Sequence, residues 1–207
     1  MRDLQAARRA PLNPSDPADV EGPGSVEVHE ASGVAEPAPE VEHRPRLWPL
    51  FGAIALVGLA LDVVTKVAVV TYLLPDVGVP FVGSLLTLRL IRNPGAAFSQ
   101  GEGFTWVFAV AAVLVLAFVL VRLVPRLGHV GWTVALALLV AGVSGNLADR
   151  LFRPPGPFRG HVVDFLQLPH WPIFNVADMC ITTAAVMIVV LSLIKNVGVD
   201  GRRPGDE

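Results

Sequence analysis

The 207-residue sequence predicts an all-α membrane protein: a bundle of four transmembrane helices carrying a small extramembrane cap. Three observations support this. The chain is 53% hydrophobic with a mean hydropathy of +0.57, too apolar for a soluble domain with a wettable surface. Four stretches, 48–70, 104–124, 129–148 and 175–195, are each long and apolar enough to cross the hydrocarbon core, which takes about 20 residues. All four tryptophans, Trp48, Trp106, Trp132 and Trp171, stand at or near the start of one of those stretches, where an indole prefers the headgroup layer.

Residues 1–46 hold nine of the eighteen acidic residues and seven prolines, with almost no large apolar side chains. They cannot bury enough surface to offset the entropy of ordering, and they read as a disordered, acidic, proline-rich tail. They have neither the basic region nor the apolar core of a cleavable leader, so the first apolar stretch is expected to direct insertion and stay in the protein. Residues 47–198 form the membrane domain, and 199–207 a short C-terminal tail.

The four spans read as helices. A helix satisfies its own backbone in lipid, and none of the stretches alternates as a barrel strand would. With both termini cytoplasmic, the inner side carries Arg44, Arg46, Arg122, Arg126, Lys195, Arg202 and Arg203, and the outer loops carry Arg89, Arg92, Arg150, Arg153 and Arg159. Seven against five favours termini inside by the positive-inside rule. Arg89, Arg92, Arg153 and Arg159 need another reason to lie outside, and contact with phospholipid headgroups supplies one.

Two loops on one side exceed what a bundle needs and are expected to form the cap. In 71–103, TLRLIRN alternates apolar and polar residues, as a short strand or interfacial segment does, and runs into the turn-prone NPG. In 149–174, RPPGPFRG must be irregular.

Ionisable groups inside spans are costly and are therefore candidates for function. Asp62 and Lys66 are four residues apart on one helical face and can neutralise each other. GNLADR and FNVAD each place an asparagine three residues before an aspartate: Asn146 with Asp149, and Asn175 with Asp178. Asp149 and Arg150 are expected to pair. In an up-down bundle these groups, with Asn93 and Asp164 from the loops, all reach the same end.

Those residues carry a resemblance. DVVTK at 62–66, NPGAAFS at 93–99, GVSGNLADR at 142–150, VVDF at 162–165 and FNVAD at 174–178 resemble, in order, the motifs of the lipoprotein signal peptidase family, signal peptidase II. Ala141 stands where the family's usual pattern has its first glycine, a small-for-small change that still permits close helix packing. The tail 1–46 and the last dozen residues lie outside the resemblance. It implies that the catalytic aspartates are Asp164 and Asp178, and that the cap is β-rich and faces outside the bacterial cytoplasmic membrane. The implied substrate is a prolipoprotein whose cysteine already carries diacylglycerol, cut on the amino side of that cysteine. The cyclic peptide globomycin is expected to compete for the site.

Two carboxylates sharing one proton suit peptide hydrolysis, one activating water and the other polarising the carbonyl. Which member starts as the base is a property of the coupled pair, although the first turn of a helix favours an ionised Asp178. Asn146 and Asn175 can donate to a carboxylate or a developing oxyanion, or simply stitch helices together. Asn93 with Gly95, Ala96 and Ala97 can admit a substrate backbone, or form a tight turn.

Other classes fit less well. A transporter using its carboxylates as a proton relay would spread charge through the membrane's thickness, whereas this sequence gathers it at one end. A non-catalytic assembly protein needs only polar contacts between helices. A cysteine hydrolase on Cys180 with His161 or His170 places its nucleophile inside a span. The lone cysteine excludes an internal disulfide, and without HExxH, CxxC or a Cys/His cluster no metal or cofactor is expected. No nucleic-acid partner is expected.

Overall fold

The computed structural model describes residues 47–95 and 105–203. The tail 1–46, together with Ala96 and Ala97, lies outside the described residues. Four helices are long and apolar enough to span a membrane: α1 (Trp48–Tyr72), α2 (Thr105–Phe118, continued by a π-helical turn and a 3-10 turn to Arg126), α3 (Val130–Phe152) and α4 (Val176–Val189, continued by a π-helical turn to Ile194).

The ends follow local chemistry. Pro49 enters the first turn of α1, where its missing N–H costs nothing. His129 caps α3, its Nδ1 accepting from the N–H groups of Gly131 and Trp132. Asn175 caps α4.

Helix α3 is the centre of the bundle. Of its most apolar 18-residue stretch 56% is buried, against 22%, 17% and 17% for the other three helices, which turn most of their surface outwards. Close approach rests on small residues. A Cβ on Gly58 of α1 would lie 2.8 Å from the Ala141 Cβ of α3, and one on Gly142 would meet Ile181 of α4 at 2.7 Å. Ala141 therefore fills the space that Gly58 leaves open.

The helices run up and down. At one end Phe51, Val119, Val124, Trp132, Leu191 and Val197 form an apolar cluster, drawn from the starts of α1 and α3 and the ends of α2 and α4. Trp132 departs from the expectation of a headgroup anchor. It is buried, and its indole Nε1 donates to the Val197 carbonyl at 2.9 Å, whereas Trp48, Trp106 and Trp171 are exposed. Residues 197–202 are consequently drawn onto the turn before α3, with the Gly128 N–H donating to the Val199 carbonyl.

At the other end the loops form a three-stranded antiparallel sheet in the order β1 (Gly78–Val82), β2 (Leu86–Asn93), β3 (Val162–Gln167). TLRLIRN is thus a strand. VVDF, read as part of a loop, begins β3, and β1 has no counterpart in the sequence reading. Leu90, Val163 and Phe165 bury one face of the sheet against Val69 of α1. Pairing of Ile91 with Asp164 and of Asn93 with Val162 turns Asn93 and Asp164 to the other face.

Candidate active site

Five segments meet at this end: the later half of α1, the end of β2, the last turns of α3, β3 and the first turn of α4. Asn175 is in extended conformation as the N-cap of α4, so its Oδ1 accepts from the Asp178 N–H at 2.9 Å while the Asp178 Oδ2 accepts from the Asn175 N–H at 3.1 Å. This reciprocal cap fixes the Asp178 side chain. Its other oxygen, Oδ1, accepts from Asn146 Nδ2 at 2.8 Å.

Asp164 is held from both sides. Asn175 Nδ2 donates to its Oδ1 at 2.6 Å and Asn93 Nδ2 to its Oδ2 at 2.9 Å. Asn175 Nδ2 also reaches the Asn146 Oδ1 at 3.2 Å, so a pair of amides joins the two aspartates. Of the roles open to these asparagines, the structure has both donating to carboxylates while linking α3 to α4. Burial raises the Asp164 carboxyl to about 6, and the neighbouring charge of Asp178 adds to that rise; the amides of Asn93 and Asn175 and the cation of Lys66 oppose it.

Lys66 anchors the assembly from below. Buried, its Nζ forms ion pairs with Asp62 Oδ2 at 2.8 Å and Asp149 Oδ2 at 3.0 Å and donates a hydrogen bond to Asn146 Oδ1 at 3.0 Å. Asp62 Oδ1 accepts from the Ala177 N–H at 2.9 Å, which ties α1 to the start of α4. Gly145 leaves the space that Asp62 occupies.

The expected pairing of Asp149 with Arg150 does not occur. Consecutive residues on a helix point about 100° apart, so Asp149 turns to Lys66, to Arg153 one turn on, and to the Val163 N–H at 3.1 Å. Arg150 points elsewhere. It donates to the carbonyls of Asn146 at 3.3 Å and Gly95 at 3.1 Å and lies over the Phe108 ring at 5.7 Å. The first of these acceptors is in its own helix, whereas the second holds the end of the β2 loop. Sequence reasoning missed Phe108, which no motif marks. Gly95 N–H donates to Asn93 Oδ1 at 3.0 Å, so the NPG segment makes an Asx-type turn.

Asp164 and Asp178 both line one cavity of about 720 Å³, with Asn93, Gly95, Asn146 and Arg150. Its opposite wall comes from the 170–174 segment and from Met179, Ile181, Thr182 and Thr183 of α4. Met179, Thr182 and Thr183 are exposed on the outer surface of the bundle, so the cavity opens sideways. Asp62, Lys66 and Asp149 support it from outside the lining. Thus ten of the sequence's candidates reach this end, six of them at the cavity wall, while the opposite end closes with the apolar cluster of Trp132 and its neighbours. The buried charged side chains among the described residues, Asp62, Lys66, Asp149, Arg150 and Asp164, are gathered at one end, contrary to what a proton relay through the bundle requires.

Residues 54–194 match the family described as "Signal peptidase (SPase) II". Proteins named lipoprotein signal peptidase are similar over most of their length. The one from Rhodococcus jostii is 46% identical over 176 residues, 85% of this chain and 86% of the relative. That from Mycobacterium leprae is 44% identical over 169 residues, 78% and 83% respectively. A solved structure described as a bacterial membrane enzyme superposes with a TM-score of 0.61 at 26% identity, covering 72% of this chain and 89% of the other.

Proposed function

This chain belongs to the signal peptidase II family, whose members remove signal peptides from prolipoproteins, and on that premise we propose that it does so as an aspartic endopeptidase, with Asp164 and Asp178 as the catalytic pair. The observation that carries the reading is the amide bridge: two carboxylates from different segments, joined through Asn146 and Asn175, at the wall of one cavity.

The chemistry follows from the surroundings. Asp164, raised to about 6 chiefly by burial, is the member that holds a proton and polarises the scissile carbonyl. Asp178 accepts two N–H bonds in the first turn of α4, an arrangement that suits a carboxylate, and takes the proton of the attacking water. The oxygen of that water bonds to the carbonyl carbon. The tetrahedral product then collapses with proton return to the leaving amine.

The substrate reading rests on the cavity's shape. A diacylglyceryl group on the precursor's cysteine enters along Met179, Ile181, Thr182 and Thr183, where the cavity opens towards lipid, and the bond cut is on the amino side of that cysteine. Asn93 and Gly95 border the path of the peptide, and Arg150 holds their turn through the Gly95 carbonyl. The cyclic peptide globomycin competes for this cavity. The active-site end faces the outer surface of the cytoplasmic membrane, with both termini inside.

The test replaces Asp164 or Asp178 with Asn, confirms insertion and folding, and follows a lipid-modified precursor. Each change is expected to abolish detectable cleavage. Cleavage persisting in both variants refutes the pair, and equal cleavage of a precursor without lipid refutes the substrate assignment.

A further inference from the structure

We infer that the cap holds a second site, centred on Arg89, which binds the phosphate of a phospholipid headgroup. Arg89 stands next to the buried Leu90, in the stretch of β2 where the pairing with β3 shifts register between Leu88 and Ile91, and it pairs with Gly78 of β1. There it lines a cavity of about 740 Å³ with Ser84, Thr87, Gln167 and His170. Among the described residues that line it there is no carboxylate.

The guanidinium is poised for an oxyanion. Among the described residues the buried Arg89 Nε meets no hydrogen-bond partner and no acid lies within ion-pairing reach of it. A buried N–H of this kind is costly unless something accepts it. Directly across the ladder stands Gly78, where a Cβ would lie 3.7 Å from both Nε and Nη2, so the strand opposite places no side chain against the fork. A guanidinium fork matches two phosphate oxygens, and Ser84, Thr87 and Gln167 add neutral donors at the wall.

The rim points to lipid as the source of the phosphate. The sheet sits at the end of α1, at headgroup depth for a spanning helix; Trp171 in the cavity wall is 65% exposed, and Phe81 and Leu85, next in sequence to the lining residues Pro80 and Ser84, are 66% and 63% exposed. A soluble phosphate has no use for such a border, whereas a phospholipid brings acyl chains to it. The other outer arginines differ: Arg153 is taken by Asp149, and Arg92 and Arg159 are exposed and are in the wall of neither this cavity nor the catalytic one. His170, Trp171 and Pro172 wall both this cavity and the catalytic one, so a lipid held here borders the path of the substrate.

The test uses the full chain in a phosphate-free maltoside detergent. Dihexanoylphosphatidylglycerol is titrated against tryptophan fluorescence, with a Trp171→Phe control, beside dihexanoylglycerol and inorganic phosphate. The phospholipid is expected to saturate the signal and Arg89→Gln to weaken it about tenfold, the scale of one lost charge-assisted contact. Equal affinity in Arg89→Gln overturns the site. Equal binding of dihexanoylglycerol overturns the phosphate, and saturation by inorganic phosphate at the same concentration overturns the lipid. Precursor cleavage within about twofold of wild type reports that the variant is folded, since Arg89 lies outside the wall of the catalytic cavity. Should Arg89→Gln fail that check, Ser84→Ala/Thr87→Val keeps the cation and removes two donors. It is expected to weaken binding about threefold, and unchanged affinity there overturns the proposal.

Discussion

Replacing Lys66 with Met tests the reasoning about the buried charges most directly. The side chain is 1% exposed and its ammonium group meets Asp62, Asp149 and Asn146 at 2.8, 3.0 and 3.0 Å. Methionine fills most of the volume and removes the charge. Asp149 keeps Arg153 and the Val163 N–H, but Asp62 is left with the Ala177 N–H alone. Removing one partner of a buried pair costs about 3–5 kcal/mol because the other charge stays behind. The larger share should therefore come from Asp62. Adding Asp62→Asn removes that orphaned charge, leaving a deficit of about 1–2 kcal/mol for the lost hydrogen bonds. Reversible unfolding in mixed micelles, followed by circular dichroism, measures both steps. A Lys66→Met protein within about 1 kcal/mol of wild type would refute the argument, since an uncompensated buried carboxylate cannot be that cheap. Failure of Asp62→Asn to recover stability would refute the attribution to Asp62.

Three further outcomes are expected. The specificity constant should fall on the alkaline side with an apparent pKa near 6 if Asp164 is the protonated member of the proposed pair, and Asn93→Ala, by removing a donor that stabilises the ionised form, should move that limb to higher pH; a limb that stays or moves lower contradicts the role given to Asp164. Gly58→Ala puts a methyl 2.8 Å from the Ala141 Cβ and should cost about 1–3 kcal/mol in an unfolding titration, with Ala141→Gly in the same chain restoring most of it. Trp132→Phe leaves the Val197 carbonyl without its donor, which should cost about 1–2 kcal/mol and make the segment after Lys195 more sensitive to protease in a time course.

The membrane spans were legible because their signal is composition over a length set by the bilayer, which no tertiary contact can override. The end at which charges gather was legible from helix direction alone. Side-chain partners were less so. Asp149 and Arg150 are adjacent in sequence, but 100° of helix rotation sends one to Lys66 and the other to the Gly95 carbonyl. Trp132 stands at the start of a span as Trp106 does, yet it is buried in the cluster of Phe51, Val119 and Leu191 and covered by the returning segment at Val197. Strand β1, with Pro80 and four exposed positions, has no alternation to detect and exists as an edge because β2 offers it a partner. The joining of Asp164 to Asp178 through two amides depends on β3 and α4 being brought side by side, a long-range pairing that local pattern does not encode.

The cap of α4 has a kinetic meaning. The atoms that close the first turn of this helix, Asn175 Oδ1 and Asp178 Oδ2, belong to the residues that position both carboxylates. Fraying of that turn and loss of the proposed catalytic arrangement are thus a single event with one opening free energy. The backbone amides at 177 and 178, whose acceptors are Asp62 and Asn175, become natural clocks for it: their exchange with solvent deuterium reports the fraction of time the carboxylate pair is assembled.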